Sequence, residues 1–241
     1  MLFFGINSLA EALNSRYANF IDEIIFDREV KNKRLEKLLE IARNKNIKLR
    51  GVSRSVLNSI LKNSSHQGVG FKVDVIYEDI EELISDKKNF VLCDSIQDPV
   101  NLGSIIRNAL LFGFDGIVIT KDRSIDITPT VAKVSSGALF HLSIVKVINL
   151  SRTIDFLKDN GYMVIGLDMG GEEEISEVEV SFPLGIVVGS EGEGLRELVK
   201  KKCDTLCHIK TTNRLNSLNA SVAAAIAMYE IFKKDISKRN I

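Results

Sequence analysis

Three short stretches concentrate the residues that could do chemistry: DSIQDPVNLGSIIRNALLFGF at 94–114, GIVVGSEGEGL at 185–195 and TTNRLNSLNASVAAAIAMYE at 211–230. In the first, Pro99 breaks the chain and a helix is expected from Gly103 or Ser104. That places Asn101 just ahead of the helix and Arg107 one turn inside it. A guanidinium near a helix start and a strand end suits a phosphate; the alternative is an Asn/Ser cap with a solvated arginine. In the second, a buried strand runs into Gly189, Gly192 and Gly194, with Glu191 and Glu193 between them. Glycines in such a turn usually cradle phosphates, but this spacing fails both G-x-G-x-x-G and the P-loop pattern. Two carboxylates in the mouth oppose an anion, so a cationic or hydroxyl-rich ligand fits better. The plain alternative is a tight turn with exposed glutamates. In the third, Ser217 reads as the N-cap of an alanine-rich buried helix. Asn219 then falls in its first turn, where a buried amide needs a partner on another loop or a ligand.

Together the stretches supply Asn, Arg, Glu, Ser and Asn, with no His, Cys or Lys nucleophile. Covalent or strong acid–base catalysis is poorly served by that set. It suits positioning two substrates and transferring a group that is already activated.

The elements that must position these residues follow from periodicity. Near-continuous apolar strands FVLCDS, GIVIT, LSIVKV, YMVIGLD, LGIVVGS and TLCHIK alternate with helical segments from residue 90 to 241. That pattern implies α/β architecture, a parallel sheet covered on both faces. Ligands in such sheets sit at the carboxyl ends of the strands, which is where all three stretches begin. Residues 1–75 form a smaller α/β/α unit. A capping box of Ser8 and Glu11 opens a helix LAEALNSR. The strands DEIIFD, KLRGVS and GFKVDVIY then alternate with helices KNKRLEKLLEIARNKN and SRSVLNSILK, the latter capped by Ser53. The acidic segment 76–89 reads as a linker.

The chain has 241 residues, 45% hydrophobic and 27% charged, which is ordinary for a globular protein. The formal net charge is zero, but residues 1–75 carry 13 Lys/Arg against 8 Asp/Glu, a balance of +5. A basic first third suits a phosphate-bearing partner, or simply solubility. Cysteines 93, 203 and 207 cannot form a paired framework and are expected as reduced thiols. Cys203, Cys207 and His208 lack zinc-site spacing, so no metal is expected. The start MLFFGINSLAEAL has no basic region or cleavage site of a secretory signal, and no run reaches membrane-spanning length. A cytoplasmic protein is expected.

The motifs N-L-G-S-I-I-R, I-V-V-G-S-E-G-E-G-L and S-L-N-A-S-V-A-A-A-I, in that order, resemble the SpoU family of RNA ribose 2′-O-methyltransferases in the SPOUT superfamily. The resemblance spans 90–241. Residues 1–75, through G-I-N-S-L-A-E-A-L and S-H-Q-G-V-G at 65–70, resemble the small ribosomal-protein-like RNA-binding domain that precedes many members. The family implies a parallel α/β domain with a deep trefoil knot near 185–225, an exception to the no-knot rule. It implies S-adenosylmethionine bound in the knot, at Gly189, Ile209 and Leu218. Its polar set falls on Asn101, Arg107, Glu191, Ser217 and Asn219. Arg107 is implicated in deprotonating the ribose hydroxyl. Since a guanidinium stays protonated, binding the adjacent phosphate and stabilising the developing alkoxide is physically easier. Glu191 orients Asn101 or the ligand. Members pair as homodimers through the knotted domain, with Arg107 near the partner's cofactor. The expected substrate is structured RNA, a guanosine of large-subunit (23S) rRNA, with tRNA as the alternative. His66 and Gln67 are candidate RNA contacts, although a lone turn histidine is more often structural.

One departure stands out: the family's I-P-M-x-G is Ile209-Lys210-Thr211-Thr212-Asn213 here. Asn tolerates positive φ in place of Gly at some cost, and Lys210 offers a new contact. Two rival classes remain. A non-catalytic ribosome-assembly factor would tolerate loss of Asn101 or Arg107. A dinucleotide-binding dehydrogenase needs a glycine-rich turn after the first strand, where this chain has D-P-V-N-L-G.

Overall fold

The computed structural model describes residues 1–212, 214 and 217–239, with side chains through 236. The chain begins with β1 (Leu2–Phe4), α1 (Ile6–Leu13), β2 (Glu23–Asp27), α2 (Lys33–Asn44), β3 (Lys48–Val52), α3 (Arg54–Leu61) and β4 (Val69–Lys72). Next come β5 (Tyr77–Glu78), α4 (Ile80–Leu83), β6 (Phe90–Asp94), α5 (Pro99–Leu111), β7 (Gly116–Thr120) and α6 (Pro129–Val134). The remainder holds β8 (Ser143–Val147), α7 (Leu150–Asp159), β9 (Met163–Leu167), β10 (Glu173–Glu174), β11 (Leu184–Gly189), α8 (Glu197–Lys200), β12 (Thr205–His208) and α9 (Ala220–Arg239).

These elements form two units. The first comprises residues 1–76 together with 127–141; the second comprises 77–126 and the chain from 142 onward. In the first, a mixed four-stranded sheet runs β1-β4-β2-β3. The pair β2–β3 is parallel and β4 is antiparallel to both β1 and β2. Its helices read as amphipathic for a simple reason: Leu35, Leu38, Leu39 and Ala42 bury one face of α2, and Asn32 caps it through Oδ1 to the Arg34 and Leu35 amides.

The segment 127–141 was expected within the C-terminal domain and is instead part of the first unit. Phe140 supplies the reason. Its ring centroid lies 5.6 Å from Phe3, 5.2 Å from Tyr17 and 5.8 Å from Phe71. Burying one such ring stabilises by about 1.5–3 kcal/mol. Beside it, Gly137 adopts φ +91°, and a Cβ there would lie 2.7 Å from Glu11 Cβ. The Ser8–Glu11 capping box does not form. Helix α1 starts earlier, after Gly5, where Gln67 Oε1 accepts from the Ile6 amide. Ser8 is buried and donates to the Ala132 carbonyl, while Glu11 reaches His141 Nε2 at 2.8 Å. Ser53 does precede α3, but its hydroxyl meets Ser55 rather than the helix amides.

The second unit has an eight-stranded sheet in the order β10-β12-β9-β11-β6-β7-β8-β5, and every pairing in it is parallel. Strands β6, β7 and β11 are buried at every position, which is why they read as unbroken apolar runs. The expected linker 76–89 is not a linker. GFKVDVIY divides into β4 and β5; β5 pairs with β8, and Ile80 and Leu83 of α4 join the core with Phe90, Leu92 and Val118. Two apolar residues a turn apart were enough to fold an otherwise acidic stretch. The expected helix at GLRELVKKKC shrinks to the four residues of α8. Among the described residues no helix is long and apolar enough to cross a membrane.

Candidate functional site

The carboxyl ends of β6, β11 and β12 open onto the loops singled out from sequence, and the loop geometry begins with a cap. Asp98 accepts from the Val100 amide at 3.0 Å and Pro99 occupies the first helical position. Helix α5 therefore starts at Pro99, not near Gly103. Asn101 lies inside its first turn and is 7% exposed. Arg107 lies more than two turns in, exposed, and away from the helix start that was to help it hold a phosphate.

After β11 the chain turns back at once. The Ser190 and Gly194 backbones exchange hydrogen bonds of 3.2 and 3.0 Å, making a closed loop with Glu191 at its tip. Gly189 is required at its base: a Cβ there would lie 2.2 Å from the Gly194 carbonyl carbon. The far stem is anchored by Asp94, which is fully buried at the end of β6. Its Oδ2 accepts from the Arg196 amide at 2.9 Å and its Oδ1 from Arg196 Nε at 2.6 Å.

Asn219 joins the third loop to the other two. Its Oδ1 accepts from the Ser221 and Val222 amides at 3.0 and 3.4 Å, and from the Ser221 hydroxyl at 2.7 Å, so Asn219 itself caps α9. Its Nδ2 donates to Asn101 Oδ1 at 2.9 Å and to Glu191 Oε2 at 3.0 Å. Asn101 Nδ2 reaches the same Glu191 oxygen at 3.5 Å. The polar run ahead of an apolar helix is thus explained. One amide spends its oxygen on the helix and its nitrogen on the two neighbouring loops. Ser217, expected as the cap, is exposed on a cavity wall instead.

Two cavities flank this trio. The larger, of about 1240 Å³, is lined by Gly189, Ser217, Leu218 and Ile209, among others. The smaller, of about 310 Å³, is lined by Ser95, Gln97, Asn101, Glu191 and Glu193, and shares Ser190 and Glu193 with the larger. Arg107 is on neither lining. Asn213, the residue in place of the family's glycine, lies outside the described residues; Lys210 lines the large cavity and stands 3.5 Å from Glu174. The structure adds a pair that sequence reasoning missed. Asp168, which ends the predicted strand YMVIGLD, lines the large cavity and holds Lys200 at 2.8 Å. The hydrogen bond to Asp168 raises the Lys200 pKa. An acid closing a buried strand was the available signal.

The large cavity combines apolar side chains (Leu167, Val188, Ala223) with two carboxylates, Asp168 and Glu193, and three cations, Lys200, Lys210 and Arg214. Such a lining offers both apolar contact and charges of either sign to a ligand that carries both. Cys207 lines this cavity, and burial pushes its thiol up to about 11, as it pushes those of Cys93 and Cys203 elsewhere to about 12. Among the described residues no group of His, Cys, Asp and Glu could hold a metal. Of the two candidate RNA contacts, His66 is internal and Gln67 is exposed. His66 is fully buried, with Nε2 on Asn58 Oδ1 at 2.7 Å and Nδ1 accepting from the Gly68 amide at 2.9 Å. Gln67 holds the start of α1.

A transferase site assembled from loops at the ends of a parallel sheet, without a nucleophile, is what these features define. Comparison with known proteins makes the class specific. Residues 88–229 match the SpoU rRNA Methylase family and residues 2–76 match the substrate-binding domain of RNA 2′-O ribose methyltransferases. The chain belongs to the SpoU rRNA methylase family. A TrmH family tRNA/rRNA methyltransferase of Staphylococcus saprophyticus is 38% identical over 237 residues, covering 95% of this chain and 94% of that protein. Among solved structures, the SpoU methyltransferase AviRb from Streptomyces viridochromogenes, in complex with AdoMet, has a TM-score of 0.84 at 24% identity, covering 98% of this chain and 91% of its own. An AdoMet-bound rRNA methyltransferase from Sinorhizobium meliloti has a TM-score of 0.82 at 21% identity and covers 97% of this chain and 87% of its own. The A. aeolicus TrmH/SpoU tRNA modifying enzyme, with a TM-score of 0.57 at 24% identity, covers 63% of this chain and 77% of its own.

Proposed function

We propose that this protein methylates a ribose 2′-hydroxyl of structured RNA using S-adenosylmethionine, and that the acceptor is a guanosine of large-subunit rRNA. The observation that carries the reading is the Asn101–Glu191–Asn219 cluster at the junction of the two cavities. The large cavity holds the cofactor, with Gly189, Ile209 and Leu218 on its wall. The small one receives the acceptor ribose. Bound in the large cavity, the cofactor would supply a methyl group already activated on a sulfonium, and its transfer to the 2′-oxygen would leave a neutral thioether, with the hydroxyl proton passing to solvent.

What the chain contributes is alignment. The trio fixes the mutual position of three loops, so that the walls of the two cavities meet at one place. Glu191 keeps one oxygen engaged with both asparagines, and its negative charge favours a cationic neighbour in the adjoining cavity. Guanosine in rRNA rests on the motif resemblance. The presence of the first unit supports rRNA over tRNA. That unit is within the fold shared with the rRNA methyltransferase, whereas the tRNA modifying enzyme covers 63% of the chain. The strand order supports the knot: β11 inserts between β6 and β9, and β12 then pairs on the far side of β9.

Arg107 acts from a second copy. On α5 the exposed residues Val100, Arg107 and Leu111 recur at helical spacing, and α9 exposes Val222 and Tyr229. Helices α5 and α9 pack together, Phe112 lying 5.7 Å from the Tyr229 ring. A homodimer covering these stripes would carry Arg107 toward the partner's acceptor site, where it binds a phosphate and stabilises the developing alkoxide.

The test is methyl transfer from labelled S-adenosylmethionine to unmodified large-subunit rRNA and to total tRNA, with Arg107→Ala as the blank. Arg107-dependent label in an rRNA guanosine ribose is expected. Label in tRNA alone would overturn the substrate, and no label with either RNA would overturn the activity.

A further inference from the structure

The charges of the first unit are paired unequally at the two ends of its sheet. Register fixes which residues share an end: Phe4 stands opposite Gly70, Phe26 opposite Val69 and Asp27 opposite Val52. The carboxyl ends of β1, β2 and β3 therefore lie together with the start of β4. From that end emerge the β2–α2 loop, the first turn of α3 and the turn 62–68. They carry Arg28, Lys31, Lys33, Arg34, Arg54 and Lys62, all exposed. The segments touch one another. A Cβ on Gly68 would lie 2.7 Å from Val30, so the 62–68 turn rests on the β2–α2 loop. A Cβ on Gly51 would lie 2.8 Å from Arg28 Cγ, so the Arg28 stem lies across β3.

Exposed acids offset these cations only in part. Asp27 is 3% exposed, accepts from the Glu29 amide and stands 3.7 Å from Arg54, which leaves Glu29 in the loop and Glu36 in the first turn of α2 as the exposed acids. At the opposite end most charges close on each other, the Met1 ammonium on Asp74 at 2.7 Å, Lys72 on Asp22 at 3.1 Å, Lys48 on Glu23 at 3.0 Å and Arg50 on the same glutamate at 3.8 Å, while Arg43 and Lys45 are exposed at the end of α2. Paired charges at short range present little net field beyond a Debye length, whereas unpaired cations on one face do.

We propose that the carboxyl end of β1–β3 is the surface on which the first unit grips the phosphodiester backbone of the RNA substrate. This rests on the RNA-methyltransferase reading and adds which face meets the RNA and by what chemistry. The buried His66 holds the 62–68 turn against α3, and the exposed Gln67 holds it against α1. Contacts to phosphate position a folded RNA without reading its sequence.

The experiment uses the full chain and an unmodified large-subunit rRNA transcript, with binding measured across a salt series. Lys31→Glu/Lys33→Glu/Arg34→Glu changes the proposed face, where acids in the first turn of α2 suit the helix dipole. Arg43→Glu/Lys45→Glu/Lys48→Glu makes the same net-charge change at the opposite end. The first variant should bind about 10- to 100-fold more weakly, with a log–log salt slope shallower by about 3, and the second should stay within about threefold of the parent. Calorimetric affinity for S-adenosylmethionine should be unchanged in both. Equal weakening of the two variants, or an unaffected first variant, would overturn the proposed face while the RNA reading survives. An unaltered protein that binds S-adenosylmethionine but neither rRNA nor tRNA would overturn the RNA reading itself.

Discussion

At the scale of single residues, Asn219 carries two separable duties, and substitutions can divide them. Asn219→Ser keeps a side-chain acceptor for the α9 amides but loses the donor to Asn101 and Glu191. Its melting temperature should stay close to the parent while methyl transfer falls at least tenfold. Asn219→Ala loses both, and should cost a further stability of about 1 kcal/mol as well. Equal activity of the serine variant and the parent would remove the trio from the mechanism. The Asp94–Arg196 pair should be asymmetric. Arg196→Ala leaves a fully buried carboxylate without its side-chain donor, costing about 3–5 kcal/mol. Asp94→Asn retains an acceptor, and Arg196, 39% exposed, keeps water, so about 1–3 kcal/mol is expected. Denaturant melts of both variants check the order. His66 adds a pH dependence. Burial lowers its pKa below the ordinary imidazole value, with a smaller push from Arg54. The folded state therefore disfavours the imidazolium that the unfolded chain accepts. This contribution is complete above about pH 6.5 and is lost as pH falls below it toward the lowered folded value. His66→Gln should flatten the stability profile between pH 7 and 5; a parent profile already flat there would refute the assignment.

At the scale of elements, what sequence could disclose depended on whether the decisive contact was local. Six strands of the second unit were readable because the parallel sheet buries most of their positions, completely in β6, β7 and β11, and the carboxyl ends gave the positions of the three loops. Asn219 was readable as a buried amide in need of a distant partner, whereas Asn101 also read as a helix cap and Glu191 as an exposed turn residue. The start of α5 was misplaced because Pro99 reads equally as a breaker and as a first helical residue, and only Asp98's bond to the Val100 amide decides. The capping box at Ser8 was overridden by partners far along the chain, Ala132 and His141. The same long-range contacts moved 127–141 into the first unit. No periodicity marks a segment whose cover lies more than a hundred residues away. Gly137 tests that assignment. Its φ of +91° and the closeness of Glu11 leave no room for a side chain, so Gly137→Ala should destabilise the first unit by about 1–3 kcal/mol. Amide exchange should report the loss in β1, α1 and β4, and unchanged protection there would contradict the placement.

At the scale of the whole molecule, the exposed stripes on α5 and α9 make assembly part of the catalytic question. Leu111 is 62% exposed, and Leu111→Glu should leave the fold intact while placing a charge in the centre of the proposed dimer contact. Light scattering should then report a monomer, with methyl transfer lost in parallel. The sharper test asks where Arg107 acts. In a symmetric dimer whose two sites each borrow Arg107 from the other copy, Arg107→Ala and Asn219→Ala are both inactive alone. Co-expressed in equal amounts, they pair at random, so half of the dimers are mixed. Each mixed dimer has one site in which the Asn219→Ala copy lends its Arg107 to the copy retaining Asn219, and that site is complete. Roughly a quarter of the parent activity should return. If Arg107 served the site of its own chain, every site in the mixture would lack one group and no activity would return. The mixture thus distinguishes an arginine shared across the contact from one that is merely exposed beside it.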